Sequence, residues 1–558
     1  MRKFLTKLWN KCVTSKPITI KKEFKEMAKA KNSKSKKNVE LKLEDILWNC
    51  REILRGNASM ATRRDMILTL VFLKFISEKF YRQREKIRAD MLARDLPPER
   101  FMEQPSFYQR DGVLYLPQEC RWEVLLSTDS NRLALTIDLM LSNLNSTIDS
   151  LRGALPMKLF TDSQVKGKTL KALVDEINKI SEERFHEKDL IGRVYEYFLQ
   201  AFSINADKEE GEFYTPHSIV ELICELIEPY DGTIYDPCCG SGGMFVQASK
   251  FVEAHGGNTK AVQVYGQESQ PETYRLAKMN LAVRGISYNL GSTADSTFTN
   301  DQHRTLRASY IMANPPFNQK EWRADNELID DPRWNGYEVP PTSNANYGWI
   351  LNIVSKLSQN GVAGFLLANG ALSDDGTELK IREQLIRNNL VEAIIILPRS
   401  LFYTTDISVT LWILNKNKKA RVVEQNGELK RYRNREKEIL FMDLRQMGSP
   451  YEKKYVELTE EDRAKVTSVY HAWQQEGYEE TYQDVPEFCY SASFEEVEQK
   501  GFTLVPSRYI EFVNRDENID FDTKMRTLQG ELKELLAAEE KSKADLLKVL
   551  EGLGYGID

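Results

Sequence analysis

The chain has 558 residues, of which 41% are hydrophobic and 29% charged, a composition that excludes a collagen-like, low-complexity or mostly disordered polymer. At roughly 100–200 residues per domain, the length implies about three domains. The net charge of −6 argues against a generic nucleic-acid coat, and seven scattered cysteines without C-x-x-C spacing argue against a disulfide framework or a zinc cluster and for a reducing compartment.

The charge is unevenly placed. Residues 1–38 hold 13 Lys or Arg and two acids, a local +11 that leaves −17 on the remainder. This stretch reads as a basic, disordered extension, either touching nucleic-acid phosphates or simply solvated. No apolar run of 7–15 residues follows the basic N-terminus, so no secretory signal is expected. Residues 39–205 read as a helical N-terminal domain. Leu43, Ile46, Leu47, Cys50, Ile53 and Leu54 recur at three- and four-residue steps. Met66–Ile76, the most apolar run, contains Lys74 and is too short for the ~20 residues of a bilayer span; it predicts a buried central helix in a cytoplasmic protein with no membrane partner. Phe101–Arg121, rich in Pro and aromatics, predicts an irregular excursion.

Residues 206–450 change character. Gly232–Tyr235, Val262–Gly266, Ser309–Ala313, Val362–Ala368 and Val391–Leu397 are short apolar runs. Amphipathic stretches such as Glu272–Val283, Trp349–Leu357 and Glu378–Asn388 separate them. Strands alternating with helices of this length predict an α/β domain with a parallel sheet covered on both faces. Ser408–Leu414 follows the preceding run with no helix between, which is compatible with a final antiparallel hairpin. Residues 451–558 form a C-terminal region. In it Met525, Leu528, Leu532 and Leu535 make a heptad-like seam, which Glu539 and Ser542 interrupt before Leu546 and Val549 resume it. The seam predicts a helix docked on a partner or within the same chain.

Three motifs carry chemistry. Asp236-Pro237-Cys238-Cys239-Gly240-Ser241-Gly242-Gly243 follows the first strand of the α/β domain and precedes a helix. Such a turn brings a ligand close to the backbone and to free helix N–H groups. Neither the dinucleotide fingerprint nor the P-loop fits its spacing. Glu268 ends the next strand, 26 residues beyond Gly242. An acid there, ~20 residues on, commonly grips ribose hydroxyls. Together the two motifs predict a nucleoside site, with Asp295 either near the purine or capping a turn. Asn314-Pro315-Pro316-Phe317 follows the fourth strand, at the same carboxyl edge. An exocyclic amine on a ring is a poor nucleophile because its lone pair is delocalised. An Asn carbonyl together with a backbone carbonyl can accept its two N–H bonds and free that lone pair. The prolines remove competing N–H donors, and Phe317 offers a flat face for a base. No metal is expected, because His186, His217, His255, His303 and His471 show no ligand spacing. Glu321–Pro341 reads as a flap over the target or an insertion loop.

With these motifs the sequence resembles the methyltransferase (modification) subunit of type I restriction–modification systems. Leu43–Gly56, Gly211–Pro216, Asp236–Gly243, Asn314–Asn318, Asn344–Trp349, Gly361–Leu372 and Ser507–Tyr509 carry the resemblance, which covers about 40–558 and leaves the first 39 residues unexplained. It implies a Rossmann-like S-adenosylmethionine-dependent methyltransferase domain with a helical N-terminal domain and a helical C-terminal tail. It implies that S-adenosyl-L-methionine lies against Glu212, Phe213, Tyr214, Thr215, Pro216, His217, Asp236, Gly240, Ser241, Gly242, Gly243, Glu268 and Asp295. The catalytic loop Asn314, Pro315, Pro316 and Phe317 would hold a flipped adenine for methylation at N6. The implied partners are double-stranded DNA, a separate specificity subunit shared by two methyltransferase subunits, and a nuclease/translocase subunit for restriction. Relatives acting on cytosine N4 usually carry Ser at the Asn314 position. The helical domain and Asn344–Trp349 also speak against an RNA or protein amine as substrate.

Overall fold

The computed structural model describes residues 43–180, 215–402, 407–451, 455–513 and 521–552. The basic stretch 1–38, His186 and the site candidates Glu212, Phe213 and Tyr214 lie outside the described residues. Two compact units result, one made of 43–180 with 275–285, the other of the remaining described residues.

The first unit is helical. Its main helices are α1 (Leu43–Leu54), α2 (Met60–Leu92), α3 (Leu133–Thr147) and α4 (Gly167–Ile177). α1 buries Leu43, Ile46, Leu47, Cys50 and Leu54, the face marked by the three- and four-residue steps. Ser59 caps α2, its hydroxyl accepting the Thr62 N–H. Every residue from Met66 to Ser77 is buried, so α2 runs through the middle of the unit. Lys74 is tolerated there because its ammonium pairs with Glu78 and sits over the Trp122 ring. Asn49 Nδ2 on α1 donates to Glu176 Oε1 on α4 at 2.8 Å. Phe101–Arg121 folds as short turns, with Tyr108 stacked on Phe80.

The second unit is built on a sheet. Its strands are β1 (Gly232–Asp236), β2 (Val262–Gly266), β3 (Tyr288–Asn289), β4 (Ala308–Ala313), β5 (Leu357–Ala368), β6 (Val391–Ile396), β7 (Val409–Asn415), β10 (Glu438–Asp443) and β13 (Cys489–Ser493). Two small hairpins, β8 (Arg421–Gln425) with β9 (Glu428–Tyr432) and β11 (Ser449–Tyr451) with β12 (Tyr455–Glu457), stand apart. The helices are α5 (His217–Ile227), α6 (Gly243–Ala254), α7 (Pro271–Val283), whose residues from 275 on group with the helical unit, α8 (Asn346–Lys356), α9 (Thr377–Arg387), α10 (Glu460–Gln474) and α11 (Phe521–Gly552).

The nine strands run in the order β13-β10-β6-β7-β5-β4-β1-β2-β3. Most neighbours are parallel, but β7 is antiparallel to both β5 and β6, and β13 is antiparallel to β10. The sheet is therefore mixed rather than purely parallel. The late antiparallel strand anticipated at Ser408–Leu414 is present and lies between β5 and β6. β13 belongs to the stretch read from sequence as the C-terminal region; it covers the otherwise open edge of β10. β6 and β7 are buried at every position, as strands covered on both faces must be.

Chain order reverses between β1 and β4. Strands β1, β2 and β3 run to one edge and the later strands run to the other, so a crevice opens beyond the carboxyl ends of β1 and β4. The excursion Glu321–Pro341 after β4 is folded and stapled end to end. Trp322 Nε1 donates to Pro341 O at 2.8 Å and Arg323 Nη2 to Pro340 O at 2.7 Å. That geometry is an insertion loop with its own small core of Trp322 and Trp334. Among the described residues no helix is long and apolar enough to cross a membrane.

One ion pair is sealed inside this unit. Glu392 on β6 accepts Arg435 Nε at 3.0 Å and Gln474 Nε2 at 2.7 Å, and both charged side chains are fully buried. Removing one partner strands the other charge. Glu392→Ala should therefore destabilise the sheet unit by about 3–5 kcal/mol in urea unfolding, while Glu498→Ala, which breaks an exposed pair with Arg387, should leave the midpoint where it is.

Candidate functional site

The crevice is assembled from the ends of three strands. β1 ends at Asp236 and passes into the Gly-rich turn. Gly240 and Gly242 have φ of +52° and +80°, the left-handed region that side chains disfavour. The Gly242 N–H closes the turn on Cys239 O at 2.8 Å, and α6 begins at Gly243. A Cβ at Gly240 or Gly243 would meet nothing within 4 Å, so space lies open beside the turn. Together with the first N–H groups of α6, that space suits a ligand lying close to the backbone. Ser241 is half-buried in the same turn.

β2 contributes Gln267 and Glu268. Gln267 is fully buried. Its N–H donates to Asp236 O at 3.0 Å, and its carbonyl accepts the Cys239 N–H at 2.9 Å. Its Nε2 donates to Asp295 O and Asn300 O. Through its backbone on one side and its side chain on the other, this residue ties the glycine turn to the loop after β3. Glu268 Oε2 accepts the Gly240 N–H at 3.0 Å, and Oε1 accepts the Gln270 N–H at 2.8 Å. These contacts fix the carboxylate at the strand end. Asp295 donates its N–H to Glu268 O at 3.0 Å, while its carboxylate accepts from Ser296 N and Asn300 Nδ2. It lies beside Glu268 and also caps a turn.

Electrostatics in this half of the crevice are set by burial. Asp236 is 2% exposed. Desolvation pushes its carboxyl up to about 7; the Cys238 N–H at 3.0 Å offsets part of that, and the charge of Glu268 adds to it. The same burial, with Asp236 and Glu268 nearby, raises the Cys238 and Cys239 thiols well above their ordinary range. They stay neutral and are not nucleophiles. His303 is buried on Gly266 O at 2.8 Å, and burial lowers its pKa.

β4 delivers the other half. Asn314 Nδ2 donates to Thr215 Oγ1 at 2.9 Å. Asn314 Oδ1 is buried and has no donor among the described residues. Pro315 is buried, and the chain then turns through Asn318 at φ +54°. Asn318 and Asn346 clasp each other: the Asn318 N–H reaches Asn346 Oδ1 at 3.0 Å, and Asn346 Nδ2 reaches Asn318 Oδ1 at 2.9 Å. The Ala345 N–H adds a bond to Gln319 O. Phe317 stands edge-on to Phe402, with centroids 6.2 Å apart at 82°.

The hydrogen bonds thus gather Asp236, Gly240, Glu268 and Asp295 into one group and Thr215 with Asn314 into a second, at the ends of adjacent strands. Pro216 is buried at the head of α5, whereas His217 is exposed and held 3.0 Å from Glu221 on its own helix. Gln267, Asn346 and Phe402 escaped the sequence reading. Asn346 lay within a matched string whose role was not evident, and Phe402 is one aromatic in an unremarkable loop. Among the described residues no group of three or more His, Cys, Asp or Glu could hold a metal ion.

The clasp makes a local prediction. Asn346→Ala removes the two bonds that the buried Asn346 side chain makes to Asn318, at about 0.5–1.5 kcal/mol each. Hydrogen exchange across 314–319 should accelerate accordingly, while exchange in β6 stays unchanged.

The sequence matches the N-6 DNA Methylase family over residues 186–518 and the HsdM N-terminal domain over 43–177. It is 43% identical over 371 residues to the type I restriction enzyme HindI methylase subunit of Haemophilus influenzae, covering 66% of this chain and 79% of that protein. It is 33% identical to the MjaIX methylase subunit of Methanocaldococcus jannaschii, covering 92% and 91%. The fold is similar to the crystal structure of a type I restriction–modification methyltransferase subunit from Streptococcus thermophilus, with TM-score 0.65 and 22% identity, over 84% of this chain and 99% of the other.

Proposed function

Because the chain belongs to the N-6 DNA methylase family, as a methylase subunit of the type I restriction kind, we propose that it transfers a methyl group from S-adenosyl-L-methionine to N6 of a flipped-out adenine. It does so in the cytoplasm, in DNA whose sequence a separate specificity subunit selects. The observation that carries this reading is Asn314 Oδ1. It is a buried acceptor with no donor among the described residues, and its NH₂ donates to Thr215 Oγ1. An acceptor kept vacant at a strand end fits an incoming N–H donor, which is what an exocyclic amine provides.

The residues of the first group fit the cofactor. S-adenosyl-L-methionine supplies a sulfonium-activated methyl group. The open side of Gly240 and Gly243 admits its backbone-hugging portion. Glu268 is placed for ribose hydroxyls and Asp236 for positive charge, with Thr215, Pro216, Ser241, Gly242 and Asp295 around them. Asn314 and a loop carbonyl take the two amine N–H bonds and direct the nitrogen lone pair. Phe317 stacks on the base, and Phe402 closes its edge. The chain's contribution is positioning and polarisation.

Partners follow from the same reading. α11 exposes Met525, Leu528, Leu532, Leu535, Leu536, Leu546 and Leu547, each 39–68% accessible. A helix with so much bare apolar surface suits docking on the specificity subunit, with two methyltransferase subunits per specificity subunit and a nuclease/translocase subunit joining for restriction.

Co-expression with a type I specificity subunit should place N6-methyladenine at one bipartite motif in host DNA. Asn314→Ala should lower the rate by about 10²–10³-fold, the loss typical of one preorganised polarising group. Methylcytosine alone, or methylation unchanged in Asn314→Ala, would overturn the assignment.

A pH dependence follows from Asp236. Below about 7 its carboxyl is protonated and loses its attraction for a cationic ligand. Cofactor affinity measured by calorimetry should therefore fall as pH drops through 7, by up to about tenfold per unit. Asp236→Asn should bind weakly and show no such slope.

A further inference from the structure

Arg333 lies in the insertion loop 321–341 and is 8% exposed. All five N–H donors of its guanidinium are engaged. Nε donates to Asp331 Oδ1 at 2.8 Å and Nη2 to Asp331 Oδ2 at 2.7 Å, which fixes the plane of the fork from within the loop. The other three bonds leave the loop. Nη1 donates to Thr297 O at 2.8 Å and to Asn352 Oδ1 at 3.3 Å, and Nη2 donates to Phe298 O at 2.6 Å. A planar fork reaches a carboxylate and the carbonyls of two successive residues at once; an ammonium of the same charge does not.

Thr297 and Phe298 follow Asp295 in the loop after β3. The Thr297 hydroxyl donates to Pro237 O in the Gly-rich turn. The Phe298 ring packs on Trp322 and on Trp349, with centroids 4.4 and 4.2 Å away. Gly348 on α8 makes room for that contact: a Cβ there would sit 3.1 Å from the Trp322 ring and 3.4 Å from the Phe298 ring. The insertion is already closed on itself by the bonds of Trp322 and Arg323 to its far end. Closing the loop therefore does not call for a buried guanidinium, whose desolvation costs several kcal/mol. What Arg333 adds is a fixed spacing between the glycine turn after β1 and the loop that leaves β4.

We infer that Arg333 is a positioning residue for methyl transfer, an assignment that rests on the reading of these two loops as cofactor and base sites. In that transfer the amine nitrogen bonds to the methyl carbon as the carbon–sulfur bond breaks. The electron pair of the broken bond stays on sulfur, and the nitrogen sheds one proton to water. The two centres must stand in line within about 3–3.5 Å, and an error of about 1 Å costs about 10²-fold in rate. With every donor engaged inside the protein, Arg333 has none left for either reactant. It acts through Thr297 and Pro237 on the cofactor side and through the insertion on the base side.

The test uses the full chain in complex with a type I specificity subunit and a duplex carrying its site. In single turnover at saturating S-adenosyl-L-methionine, Arg333→Lys should transfer the methyl group at least about tenfold more slowly, while cofactor affinity by calorimetry stays within about threefold. S-adenosylhomocysteine should slow hydrogen exchange across 321–341 in the parent chain and leave it unchanged in Arg333→Lys. Thr297→Val keeps the carbonyl that Arg333 holds and removes the bond to Pro237. It should slow transfer in the same direction, and it decides the matter if Arg333→Lys does not fold. A rate within about threefold of the parent, or a loss explained wholly by weaker cofactor binding, overturns the positioning role and leaves these bonds a part in stability alone. A parent complex that binds the duplex and cofactor yet methylates no adenine overturns the proposed function itself, and the role of Arg333 with it.

Discussion

A buried carbonyl oxygen without a donor costs about 1–3 kcal/mol, and among the described residues Asn314 Oδ1 is such an oxygen. Turning the amide over would not relieve it: Oδ1 would then accept the Thr215 hydroxyl, and the NH₂ would take the unpaired place. Much of the surrounding architecture serves to keep Asn314 where it is. β4 is paired on both sides, by β1 and β5, so the strand end is fixed. Pro315 and Pro316 restrict the next two residues, and the Asn318–Asn346 clasp anchors the loop to the start of α8. The unpaired acceptor is therefore held in place from both ends of its loop.

The cofactor half of the crevice is organised differently. There the polar groups are satisfied, and the backbone bonds among them define the shape. Gln267 bridges Asp236, Cys239 and the 295–302 loop, and Glu268 reaches the Gly240 N–H. Burial then makes Asp236 the group most sensitive to its surroundings, with a carboxyl poised near 7. A site built this way responds to positive charge at the β1 end and to hydrogen-bond donors at the β4 end. On the proposed reading these are the sulfonium ligand and the amine.

Much of this was legible in the chain. Alternating apolar runs and amphipathic stretches locate β1, β2, β4, β5, β6 and β7 to within a few residues, because strand burial and helix amphipathicity leave different periods. The two site motifs stand out because glycine in left-handed turns and proline after Asn are rare requirements. What stayed hidden depends on long-range pairing. β13 joins β10 across more than forty residues, and nothing in Cys489–Ser493 names its partner. Residues 275–285, which include most of α7, group with the helical unit although the start of α7 belongs to the other. Phe402 meets Phe317 from 85 residues away, and a lone aromatic in a loop gives no hint of that. The site residues Glu212, Phe213 and Tyr214 lie outside the described residues.

Charge follows the same division of labour. The body of the chain is acidic, yet the crevice needs acids: Asp236, Glu268 and Asp295 together favour a cationic ligand, so negative charge at this edge is part of the site. What an acidic surface cannot do is hold a polyanion by counterion release, which takes clustered Lys and Arg. On the proposed reading, a subunit so built gains from leaving most of the DNA grip, along with sequence choice, to other chains.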